Sequence, residues 1–129
     1  MRAALLLLPG LVIGVIGTVN VVNALNARNP MPHAVMATMD YHMGRLAHAL
    51  KARQCDAAKM RQHLERLQST ATDIVPVFDV GEKPFNDAAA QLQGKIGQAL
   101  LTAPADCTAL AAVFKPIGGA CKSCHQKYR

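Results

Sequence analysis

Near its C-terminal end the chain reads Cys121-Lys122-Ser123-Cys124-His125, and this C-x-x-C-H string constrains the fold more than any other stretch. It is the signature of covalent haem c attachment, in which each thiol adds across a haem vinyl group. Positions i, i+3 and i+4 share one face of a helix. The spacing therefore predicts a helix on which Cys121 and Cys124 grip the porphyrin edge while His125 turns a ring nitrogen toward the iron as proximal ligand. A C-x-x-C alone also serves redox thiols and half of a zinc site. A redox pair belongs beside a βαβ pattern, and none is present; Cys55 and Cys107 stand too far apart to supply the other half of a zinc site.

The 129 residues allow one core-forming domain once the N-terminal segment is set aside. Aromatic residues make up only 4% and Trp is absent, whereas Ala, Leu, Met and Gln are plentiful, a bias toward helix over sheet. After position 25 no alternating β-branched run appears. The expected class is all-α.

Residues 1–25 read as an export or anchoring segment. Arg2 precedes an apolar stretch from Ala3 to about Val22, broken only by Pro9-Gly10, Thr18 and Asn20, and long enough to span a bilayer at ~1.5 Å per residue. Val22-Asn23-Ala24 is an acceptable signal-peptidase site, but the apolar run exceeds the usual signal length of about 7 to 15 residues, which favours an uncleaved anchor with Arg2 inside. Either way the domain leaves the cytoplasm. This predicts a periplasmic location, attached to the bacterial inner membrane or soluble.

Residues 26–32 form a linker rich in proline, and 33–129 the domain. Met36, Met39, Met43, Leu46 and Leu50 recur at the rhythm of a bundle helix. Asp56 caps a second helix carrying Met60, Leu64, Leu67, Ala71 and Ile74, ended by Pro76 and a turn around Asp79-Val80-Gly81. A third starts at Pro84 and turns Phe85, Ala89, Leu92, Ile96 and Leu100 inward; Gly94 and Gly97 mark close helix contact, and Pro104 stops it. Asp106 caps the fourth, on which Leu110, Phe114, Ile117, Cys121, Cys124 and Tyr128 share one register. Pro116 is expected to kink it. Gly118-Gly119 leaves room for a flat macrocycle.

Short connections make this an antiparallel up-down-up-down four-helix bundle, with the haem near the end of the fourth helix. In that topology Met36 approaches the haem end. The end of the first bundle helix lies beside the start of the fourth, so Cys55 and Cys107 meet at the opposite end, where an oxidising compartment allows a disulfide.

Gly118 to Arg129, with a basic residue four after the histidine, and Met39-Asp40-Tyr41-His42-Met43-Gly44-Arg45-Leu46 resemble a class II c-type cytochrome, the cytochrome c′ family. The resemblance implies one covalent haem c held by Cys121 and Cys124, with His125 proximal and Met36 at the distal position facing the iron. It implies a non-enzymatic protein of one of two types. A low-spin electron carrier would place the Met36 sulfur on the iron, whereas a five-coordinate relative would bind nitric oxide or carbon monoxide beneath it. Arg129 matches the family's basic residue. The arginine that many relatives carry just before the distal residue is Pro32 here, with Arg28 as substitute near the propionates. The family's tryptophan near the end of the second helix is missing, and Val75-Pro76-Val77-Phe78 keeps only the phenylalanine. Relatives often form homodimers through their first two helices.

The remaining histidines, His33, His42, His48 and His63, read as solvated or packed side chains, with His33 the one rival to Met36 as sixth ligand. The net charge is +6, and Lys115, Lys122, Lys127 and Arg129 gather toward the haem end, a pattern suited to steering an acidic redox partner. Nucleic-acid binding finds no support, because no aromatic residues interleave the basic ones.

Overall fold

Helix α1 (Arg2–Asn26) is followed by four long helices, α2 (Met31–Ala52), α3 (Ala57–Ala71), α5 (Lys83–Thr102) and α6 (Cys107–Tyr128), with a short α4 (Ile74–Phe78) between α3 and α5. The computed structural model describes residues 2–26 and 29–128, and the side chains of 10–24 and 29–128. Two compact units result, Met1–Pro30 and Met31–Arg129.

The first unit is α1. Its helix runs through Pro9, and its described large apolar side chains, among them Leu11, Ile13 and Val21, are exposed. Its polar interruptions are satisfied within the helix. Thr18 Oγ1 donates to the Gly14 carbonyl at 2.8 Å and Asn20 Nδ2 to that of Ile16 at 2.9 Å. The described side chains, 10–24, cover about 22 Å of helix, less than the ~30 Å hydrocarbon core. Among the described residues no helix is long and apolar enough to cross a membrane.

In the second unit each long helix packs against two others, α2 and α5 both lying between α3 and α6. This closes the expected four-helix ring. Asp56 Oδ1 accepts from the Lys59 amide at 2.9 Å and Asp106 Oδ1 from the Ala109 amide at 2.8 Å, so both predicted aspartates cap their helices. Gln93 Nε2 on α5 donates to the Ala71 carbonyl at the end of α3, satisfying an acceptor the helix itself leaves free.

The second predicted helix is two. It breaks at Thr72-Asp73, where the Thr72 hydroxyl turns back onto the Ser69 carbonyl, and α4 restarts at Ile74. Pro76 therefore does not end a helix. It stands in the first turn of one, where its missing N–H needs no partner. Asp79 (φ 46°) and Gly81 (φ 70°) form the expected turn, and Ala103 (φ 47°) closes α5 by donating its amide to the Ala99 carbonyl. Helix α6 runs unbroken through Pro116.

The core follows the predicted stripes closely. Met60, Leu64, Leu67, Ala71 and Ile74 are all buried, as are Phe85, Ala89, Leu92, Ile96, Leu110 and Ile117. Each fully buried leucine contributes roughly 1.5–3 kcal/mol. On α2 the innermost residues are Val35, Met39 and Leu46, with Met36, Met43 and Leu50 packed against the cluster from one side. A Cβ on Gly94 would meet nothing within 4 Å, and one on Gly97 would meet Gln68 Oε1 at an ordinary 3.8 Å. Neither glycine marks a tight helix contact.

Cys55 and Cys107 form a disulfide with Cα atoms 5.1 Å apart, joining the α2–α3 connection to the start of α6. With its ends 52 positions apart in sequence, the bridge restricts the unfolded chain by about 4 kcal/mol in the chain-entropy picture. Cys55→Ser/Cys107→Ser should lower the urea unfolding midpoint accordingly. A midpoint equal to that of the native protein would show that the bridge adds nothing.

Candidate cofactor site

The end of the bundle where α2 begins and α6 finishes holds the haem motif. Cys121, Cys124 and His125 follow one another on one face of α6, the thiols half-buried and the imidazole exposed. They line a cleft of about 200 Å³ whose facing wall is Met36, Met39 and Met43 from α2, closed by Ile74 of α4 and Leu92 of α5. A second cleft of about 570 Å³ shares Met36, Asp40, Cys124 and His125 with the first and continues past His33 to Phe78, Phe85 and Tyr128. Cys124 and His125 thus border open space on both sides.

The walls differ in chemistry. The smaller cleft is apolar apart from Asp40 and the motif itself. The larger ends on an aromatic cluster, in which the Phe85 ring stands 5.9 Å from that of Phe78 and meets the Tyr128 ring edge-on at 5.2 Å. The Tyr128 hydroxyl oxygen is buried without a hydrogen-bond partner among the described residues. On α6, a Cβ at Gly118 would sit 3.9 Å from Met43 Cε, and one at Gly119 would touch nothing within 4 Å. The protein's own packing therefore does not demand glycine at either position.

Burial pushes the Cys121 thiol up from its usual range, and the neighbouring Cys124 adds to that against an opposing backbone hydrogen bond; burial also raises Cys124. A reactive redox pair has the reverse tuning, toward thiolate. Among the described residues no three His, Cys, Asp or Glu side chains gather as a metal-ion site, so the zinc reading has no second pair of ligands.

Of the residues singled out in the sequence, Cys121, Cys124, His125 and Met36 come together in one cleft. Arg28 and Arg129 lie outside the described residues. His33 borders only the larger cleft. Asp40 borders both and went unnoticed in the sequence, although its place four residues after Met36 puts it on the same side of α2.

This arrangement fits a haem. Two thiols and an imidazole sit at helical spacing beside an apolar cleft, with a thioether facing them from the neighbouring helix. Comparison with known proteins agrees. Residues 78–129 match the family described as Cytochrome C'. Over this stretch the chain is similar to the cytochrome c′ family. Two solved structures of cytochrome c prime from Alcaligenes xylosoxidans, both mutants in complex with nitric oxide, share the fold. At 25% identity each covers 76% of this chain and 90% of its own, with TM-scores of 0.67 and 0.66. A comparison with curated proteins finds no match. The match supports a haem protein, and haem c is the cofactor that the family implies.

Proposed function

We propose that the chain is a monohaem c-type cytochrome carrying single electrons in the bacterial periplasm. One haem would be held covalently by Cys121 and Cys124, with His125 and Met36 as axial ligands. The observation that carries this reading is that Met36 and His125, from different helices, line the same two clefts. Bound haem c supplies the one-electron chemistry. The chain's share is to hold it, to fix the His125 ring on α6 and to present a thioether from α2. It also keeps water from one face with Met39, Met43, Ile74 and Leu92, because a dry, fixed surrounding limits reorganisation on electron gain and loss.

A second reading rests on the neighbours, which are nitric oxide complexes. In it Met36 packs above a five-coordinate iron and the apolar cleft admits a small gas. Optical spectra of the ferrous protein with and without carbon monoxide separate the two. Sharp low-spin bands indifferent to the gas are expected, with Met36→Ala converting them to a high-spin, gas-binding form. A native protein that binds carbon monoxide promptly supports gas binding instead.

Tethering by α1 is part of the proposal. The helix has 25 residues, about 37 Å at 1.5 Å each, and Thr18 and Asn20 bond to its own carbonyls, as polar groups in lipid must. Full-length protein should stay with membranes through an alkaline carbonate wash; release into the supernatant would point to cleavage or a peripheral association.

The partner proposed is an acidic redox protein. Lys115, Lys122 and Lys127 are all exposed on α6 near the motif, where their field raises encounter rates with a negative surface. Electron-transfer rate should fall as ionic strength rises, and a rate independent of salt would remove the steering role.

A further inference from the structure

Away from the clefts, one pair of titratable side chains meets across two helices. His42 on α2 and His63 on α3 bring their Nδ1 atoms to 2.9 Å. The rings are half-buried, and Tyr41 packs edgewise on both, at centroid distances of 5.0 and 6.4 Å. One neutral imidazole donating to the other accounts for the contact in the metal-free chain.

The same separation is also the bite of a metal ion. Two nitrogens at about 2.05 Å from one ion stand about 2.9 Å apart when the angle between them is about 90°, and about 3.3 Å apart at a tetrahedral angle. Right-angled nitrogen coordination belongs to Cu(II) and Ni(II), and Cu(II) heads the affinity order of the first-row divalent ions. Metal binding needs neutral imidazoles. Burial lowers the pKa of both rings, helped at His42 by His63 and Arg66 and at His63 by Arg45, so both are neutral at neutral pH.

We propose that His42 and His63 form a two-nitrogen site for Cu(II), with the ion replacing the hydrogen bond between the two Nδ1 atoms and standing off the line that joins them. The donor ring moves its Nδ1 proton to its own Nε2, so both rings stay neutral and bind through Nδ1. No third His, Cys, Asp or Glu joins them among the described residues. The remaining positions fall to water or small anions. Arg45 and Arg66, whose charges reach the pair, oppose the bare cation and favour an anionic co-ligand. The pair bridges α2 and α3, helices that already pack together, so the bite is set before the ion arrives.

Equilibrium dialysis of the full-length holoprotein against Cu(II), with electron paramagnetic resonance at liquid-nitrogen temperature, tests the site. One Cu(II) per chain is expected, with a tetragonal spectrum split by two nitrogens. His42→Ala and His63→Ala should each weaken binding at least about tenfold, the equivalent of about 1.4 kcal/mol, while His48→Ala leaves it unchanged. Helical circular dichroism of each variant separates lost binding from lost fold, and the nitrogen splitting of the native protein counts the imidazoles on the ion. Absence of bound Cu(II), a spectrum without two-nitrogen splitting, or binding indifferent to both alanines would overturn the proposal.

Discussion

One face of α6 has to serve the core and the cofactor at once. Leu110 and Ile117 are wholly buried, and Cys121, Cys124 and Tyr128 follow them in the same helical register, each half-buried. The C-x-x-C-H spacing is itself helical, so placing the motif on this stripe commits the cleft to the inside of the bundle. Because α6 packs between α2 and α5, those helices supply most of that cleft's walls, with Ile74 of α4 closing it. They do so through the three methionines of α2 and Leu92 of α5.

The two ends of the bundle are then held by different means. At one end the Cys55–Cys107 bridge ties the close of α2 to the start of α6, which fixes the pair of helices that form the cleft at their other end. No polar or charged residue is buried among the described residues, so no interior hydrogen-bond network specifies the packing. Register is left to side-chain shape, to the aspartate caps and to the bridge. Methionines suit the open end, because an unbranched, polarizable side chain can fill space of irregular outline.

Much of this was legible in the chain because it depends on period and punctuation. The stripe Met60, Leu64, Leu67, Ala71, Ile74 is buried as read, Asp56 and Asp106 cap as read, and the bundle topology alone brought Cys55 to Cys107. The rest turned on local competition. Thr72 bonds its hydroxyl to the preceding turn, so α3 ends before Ile74, and Pro76 moves from a helix stop to a first-turn residue. The haem motif was explicit, whereas Asp40 at the cleft and the His42–His63 contact were not. A lone aspartate has no spacing signature, and a contact between rings on two helices depends on rotation about both axes, which a one-dimensional pattern does not carry.

That rotation also explains why α2 buries Val35 more deeply than Met36. A helix in a closed ring has two neighbours, so its apolar stripe is two seams wide. On α2 one seam is Val35, Met39 and Leu46, the most buried residues. The other, Met36, Met43 and Leu50, repeats every seven residues and is only partly buried. Met43 approaches Gly118 of α6, which identifies this second seam as the one facing the haem helix. Val35 is therefore a packing residue. Met36, one position on, is placed by the same register at the cleft with Cys121, Cys124 and His125. A thioether half-exposed toward that space keeps its sulfur available, whereas a fully buried one would have its coordination volume filled by neighbours. Met36 and Met43 are both only partly buried where they border that space.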